Sequence, residues 1–125
     1  MPPAPPRSVL ACRPTTYTLR YAINPWMLDQ QIDAGQARTQ FDVLVRTYEH
    51  IGLQIDYIEQ DPKLPDMVFT ANAGLIHDRT FIPSNFRYPE RAPEAQLFAD
   101  HFRAGGFRIE SLAPEYLFEG AGDAI

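Results

Sequence analysis

The sequence predicts an α/β protein made of repeated strand-strand-helix-strand units, and three observations carry that prediction. The segments Gly52-Leu-Gln-Ile-Asp-Tyr-Ile58 and Gly106-Phe-Arg-Ile-Glu-Ser-Leu112 share one pattern: glycine, apolar, polar, isoleucine, acid, any residue, aliphatic. Both copies alternate as half-buried strands do. Each copy also follows a stretch of helical apolar spacing. Ala37, Phe41, Leu44, Val45, Tyr48 and Ile51 precede the first, and Ala95, Phe98, Ala99 and Phe102 the second.

The elements then follow in chain order. Residues 1–7, Met-Pro-Pro-Ala-Pro-Pro-Arg, lack the apolar core and cleavage site of a secretory signal and read as a disordered, proline-rich arm. Strands are predicted at 8–12 and 18–23, with Pro14 and the Thr15-Thr16 pair as the break. The first helix stops at Gly52, which tolerates positive φ, and the repeated strand closes a unit over 8–60. The linker Gln60-Asp-Pro-Lys-Leu-Pro65 separates it from a second unit over 66–112. That unit has strands at 67–70, with a possible continuation through Leu75-Ile76, and at 79–82, turning at His77-Asp78. Its shorter helix ends at Gly105-Gly106. Pro114 interrupts the chain, and a third unit starts over 116–125. Apolar-faced units of roughly fifty residues bury those faces against neighbours, so this reading makes the chain the opening part of something larger. An ordinary α/β domain with an accidental echo is the alternative.

Composition narrows the function. The 125 residues are 45% hydrophobic, 12% aromatic and 22% charged, which is globular rather than disordered or collagenous. No apolar run approaches the roughly 20 residues of a membrane span. The net charge of −5 argues against nucleic acid, whose binders need basic stripes. Lys63 is the one lysine among 11 basic residues. Arginine's planar fork suits carboxylate ligands, although genomic base composition gives the same bias. The single cysteine, Cys12, excludes an intrachain disulfide and fits a reducing, cytoplasmic setting. It reads as a small buried side chain rather than a nucleophile. His50, His77 and His101 have no partner at metal-ligand spacing, so no metal is expected.

Three polar clusters interrupt apolar stretches. In Asn24-Pro-Trp-Met27 the asparagine is either a plain turn residue or a presented amide. In Pro65-Asp-Met-Val-Phe-Thr-Ala-Asn-Ala-Gly74, Asp66 and Asn72 flank Val68-Phe69. They could hold a planar, hydrogen-bond-rich group such as guanidinium or urea, or simply cap and turn the chain. In Phe118-Glu-Gly-Ala-Gly-Asp123, alternating glycines permit close backbone approach, and Glu119 and Asp123 supply two carboxylates. Arg87 and Arg91, in Pro83-Ser-Asn-Phe-Arg-Tyr-Pro-Glu-Arg91, could clamp a substrate carboxylate or belong to a solvated face.

Together these motifs resemble the guanidino-group-modifying (pentein) superfamily, which includes arginine deiminases, dimethylarginine hydrolases and amidinotransferases. Leu64-Pro-Asp-Met-Val-Phe-Thr-Ala-Asn72 is similar to its Pro-Asp-x-Val-Phe motif, and Phe118-Glu-Gly-Ala-Gly-Asp123 to its Glu-Gly-Gly-Asp motif. Asn24-Pro-Trp-Met27 together with Asn72 resembles the arginine dihydrolase branch. The resemblance implies a five-bladed α/β-propeller, of which this chain would supply about two blades and the start of a third. It implies Glu119, Asn72 and Asn24 as catalytic-site residues, and Asp66, Arg91, Arg87 and Asp123 as substrate-binding or supporting ones. Deiminases carry aspartate where Asn72 stands; an amide can accept from guanidinium and also donate to a ureido oxygen. Ala121 replaces the motif's second glycine.

The implied reaction is attack by a cysteine thiolate on the amidino carbon, with a histidine as proton carrier. Both residues are expected in later blades, so this chain alone is expected to be inactive. The resemblance calls for no cofactor and for a small guanidino or ureido amino acid as ligand. A non-catalytic guanidinium- or amino-acid-binding module and an amidinotransferase fragment remain as alternatives. Unpaired blade edges would favour self-association.

Overall fold

The computed structural model describes residues 7–124, so nearly all of the proline arm lies outside the described residues. Strand β1 (Ser8–Cys12) leads through a long irregular segment to helix α1 (Ala34–His50) and strand β2 (Gln54–Ile58). β1 and β2 pair in parallel, with Ser8 opposite Gln54 and Cys12 opposite Ile58. Asp33 starts α1 by accepting the Gln36 N–H at 2.9 Å, and Gly52 follows its end at φ +88.

A second sheet follows. Strands β3 (Gly74–His77) and β4 (Thr80–Pro83) form an antiparallel hairpin, turning where Asp78 takes φ +51. Helix α2 (Glu94–Ala104) then returns the chain so that β5 (Arg108–Ile109) pairs in parallel with β4. The second unit therefore has the strand-strand-helix-strand order. The first has strand, helix, strand.

One core joins the two sheets. Cys12 and Ile58 from the first meet Met67, Phe81, Phe98 and Phe102, and the Phe81 and Phe102 rings lie 4.2 Å apart. By contrast, α1 buries only Val45 among its residues. Leu44 and Ile51, expected on its inner face, are 46% and 66% exposed. Helical spacing marks a stripe; how much of it is covered depends on what packs there.

Three expected strands are corrected. Residues 18–23 are unpaired, although Leu19, Tyr21 and Ile23 are half-buried and alternate with exposed Thr18, Arg20 and Ala22. Alternation records which side faces the protein; it cannot supply a neighbour for the backbone ladder. Residues 67–70 are not a strand either. Pro65–Val68 and Thr70–Asn72 are consecutive 3-10 turns, closed by Phe69 N–H to Asp66 O and Asn72 N–H to Phe69 O, both 3.0 Å. Pro65, with its φ preset, starts the first turn. The closing strand of the second unit is shorter than its copy, because ladder pairing is confined to Arg108 and Ile109.

Among the described residues, no helix is long and apolar enough to cross a membrane. Among the described residues, no group of three or more His, Cys, Asp or Glu could hold a metal ion.

Candidate functional site

The consecutive 3-10 turns shape the site. With three residues per turn, side chains three apart share a face. Asp66, Phe69 and Asn72 all line one cavity of about 310 Å³. The irregular segment lines it too, through Tyr17, Ile23, Asn24 and Trp26, and so does Arg91. The edge of the Tyr17 ring packs on Phe69 at 5.8 Å, and Trp26 stands 84% exposed at the rim.

Asp66 is the most unusual group. It is only 3% exposed, and its Oδ2 accepts from the Tyr21 hydroxyl at 2.9 Å. Its Oδ1 is buried without a hydrogen-bond partner among the described residues. Buried carboxylate oxygens are ordinarily satisfied, so this orphan sets Asp66 apart from the other residues that line the cavity. Burial first, and then the bond to Asp66, push the Tyr21 hydroxyl well above its ordinary range, so it stays a donor.

Beneath the cavity runs a buried network. Glu94, 0% exposed in the first turn of α2, accepts from Arg91 Nε at 2.9 Å and from Arg91 Nη2 at 2.8 Å. Arg91 Nη2 also donates to the Asp66 carbonyl, and Nη1 to Asn72 Oδ1, both at 3.0 Å. The guanidinium lies over the Phe86 ring, 4.7 Å from its centroid. Arg91 is thus tied mainly to the protein itself rather than held free for a ligand carboxylate. Burial works against its charge, but Glu94 and Asp66 outweigh it and raise its pKa. Burial raises that of Glu94 despite the pull of Arg91. The Glu94 carboxylate therefore grips the guanidinium directly, whereas Asp66 meets it through its backbone carbonyl and its side chain acts on it only as a neighbouring charge.

Asn72 joins this network to the last motif. Its Nδ2 donates to the Glu119 carbonyl at 3.3 Å, so the amide is oriented from both ends. In Asn72→Asp an oxygen would replace that donor and face the carbonyl. We expect a loss of about 1–2 kcal/mol, read by urea unfolding, and wild-type stability would refute it.

Glu119 stands behind Asn72, outside the cavity lining. Its Oε1 accepts the Arg87 backbone N–H at 3.0 Å, and its own N–H donates to Asp123 Oδ2 at 2.7 Å. What Arg87 gives the site is its backbone, for its side chain is exposed. Asp123 closes a local turn. Asn24 lines the cavity while its Oδ1 caps the Pro25–Met27 turn through the Trp26 N–H at 3.0 Å. Asn85 positions the last motif: Phe118 N–H donates to its carbonyl, and its amide donates to the carbonyls of Ala113 and Tyr116.

Gly120 makes the close approach that the motif allows. It holds φ +64, and a Cβ there would run into the Ala71 carbonyl and the Asn72 backbone. Ala121 is exposed and interferes with nothing. Gly120→Ala should cost about 2–3 kcal/mol and displace Glu119 from Asn72, with loss of the Asn72 side-chain amide resonance position as the readout. An unmoved resonance would refute it.

Sequence reasoning missed Glu94, Tyr21, Tyr17 and Phe69. The spacing of Arg91 and Glu94, with the acid in a helix's first turn, was a signal for a pair but not for its burial. Cys12 is buried and its thiol is pushed up to about 12, first by burial and then by Glu94, so it is no thiolate at neutral pH.

No family profile matches the chain. It is 37% identical over 113 residues to the N(G),N(G)-dimethylarginine dimethylaminohydrolase of Mycobacterium tuberculosis, covering 90% of the chain and 37% of that protein. It is 37% identical over 119 residues to the bifunctional arginine dihydrolase/ornithine cyclodeaminase ArgZ of Synechocystis, covering 94% of the chain and 17% of that protein. The crystal structure of the ArgZ N-terminal domain bound to product superposes with a TM-score of 0.89 at 35% identity, over 95% of the chain and 44% of that domain. The chain thus spans less than half the length of these relatives. These relatives and structural neighbours, arginine dihydrolases and a dimethylarginine dimethylaminohydrolase, are proteins of the guanidino-group-modifying, or pentein, superfamily. The chain is similar to one part of the arginine dihydrolases ArgZ and AgrE and of dimethylarginine dimethylaminohydrolase.

Proposed function

We propose that the chain supplies one wall of the substrate site of a cytoplasmic hydrolase acting on guanidino C–N bonds of arginine or a close derivative. The observation that carries this reading is the buried Asp66 Oδ1, without a hydrogen-bond partner among the described residues, on a side chain that lines the cavity. A guanidinium or ammonium nitrogen both completes the hydrogen bond and balances the charge. Asn72 keeps hydrogen-bonding capacity beyond its two internal bonds, which suits a head group that changes from guanidinium to ureido. A relative of known structure, AgrE, has been crystallised with L-arginine.

In this reading the units over 8–60 and 66–112 are two blades of a five-bladed propeller, with a third beginning at 116. Glu119, Asn72 and Asn24 belong to the catalytic site, and Asp66, Arg91, Arg87 and Asp123 hold or support the substrate. A thiolate from elsewhere in the protein attacks the amidino carbon and ammonia leaves with a proton. Water then cleaves the amidino-cysteine, releasing the ureido product and restoring the thiol. Calorimetry tests the recognition step. Saturable binding of L-arginine is expected, with none of L-norleucine, whose side chain carries no cation. No heat with arginine into the millimolar range overturns the reading.

A further inference from the structure

We propose that Glu94, which the family motifs do not include, is a positioning residue for this site. Its bidentate grip fixes the plane of the Arg91 guanidinium. From that plane Nη1 reaches Asn72 Oδ1 and Nη2 reaches the Asp66 carbonyl. One side chain outside the cavity lining therefore sets the attitude of the Asn72 amide and anchors the backbone of Asp66. A buried ion pair is weak evidence for stability, because desolvation offsets most of the attraction. Its physical effect here is geometric: a planar fork held at both Nε and Nη2 cannot rotate about its long arm.

Glu94 could otherwise serve only to complete the core, since it is wholly buried beside Phe98 and Ala99 in α2. The network separates the two roles. A core role ends at Arg91, whereas a positioning role reaches Asn72, which touches Arg91 but not Glu94. Glu94's part in ligand binding rests on the arginine reading above, while its hold on Asn72 does not.

The test uses Glu94→Gln and Glu94→Asp in the protein. Gln keeps the shape but turns one acceptor into a donor facing the donors of Arg91. The side-chain amide signals of Asn72 in a ¹H–¹⁵N spectrum should shift or broaden, and L-arginine affinity should fall by about tenfold. Asp keeps both oxygens but retracts them by one methylene, so a smaller shift and a loss of about threefold are expected. A lower melting temperature with Asn72 signals and affinity unchanged would overturn the proposal. If Glu94→Gln does not fold, unchanged Asn72 signals in Glu94→Asp overturn it just as well. Failure of the wild type to bind arginine would count against the functional reading alone, because the Asn72 signals need no ligand.

Discussion

Asp66→Asn should weaken L-arginine binding by about a hundredfold, the roughly 3 kcal/mol that a charge-assisted hydrogen bond contributes in a desolvated site. The substitution preserves shape, and an amide oxygen can still accept from the Tyr21 hydroxyl. What disappears is the negative charge and the acceptor that has no partner among the described residues. Stability should not fall with affinity. The variant relieves the repulsion between Asp66 and Glu94 but also loses the attraction of Asp66 for Arg91, and the two changes offset one another. Calorimetry and a thermal melt on the same samples separate the two effects. An affinity within a few-fold of wild type would show that the cavity does not recognise a cation through Asp66.

Replacing Arg91 by methionine should have the largest effect on folding, roughly 3–5 kcal/mol. It leaves the wholly buried Glu94 without a counter-charge and strips the donors from Asn72 Oδ1 and the Asp66 carbonyl. The loss should depend on pH, and its sign is fixed by Glu94. Burial already raises that carboxyl above its ordinary value of 4.5, and the bond and charge of Arg91 hold it down. Without Arg91 its folded-state pKa rises further. A carboxyl raised in the folded state contributes stability when protonated, below its unfolded pKa, and loses it as pH climbs through the folded value. The gap between Arg91→Met and wild type should therefore be full at neutral pH and narrow as pH falls towards 4.5. Urea unfolding at several pH values measures this. Adding Glu94→Gln should recover much of the loss at neutral pH, and a pH-independent gap would refute the account.

Particular elements show how far local pattern reaches. Strands β1, β2, β3 and β4 and both helices were legible, because a period of two or 3.6 residues and a glycine or Asp-containing turn are properties of short stretches. The segment after Pro65 was misread because Asp66 and Asn72 share a face under either period. Phe69 tells the periods apart: it joins them in a 3-10 turn and would oppose them in a strand. Residues 18–23 show the same limit, since their alternation is real and their missing ladder partner is not a local matter.

The amino-acid sequence by itself determined the two helices and the strands that flank them, the glycine that lets the last motif meet Asn72, and the amides and carboxylates available for chemistry. The tertiary structure alone decided which carboxylate is left without a partner and which buried acid steers Arg91. Tyr21 and Asp66 are 45 residues apart in the chain, and Asn72 and Glu119 are 47 apart. Burial and hydrogen-bond satisfaction depend on what arrives from such distances, and no local spacing encodes that.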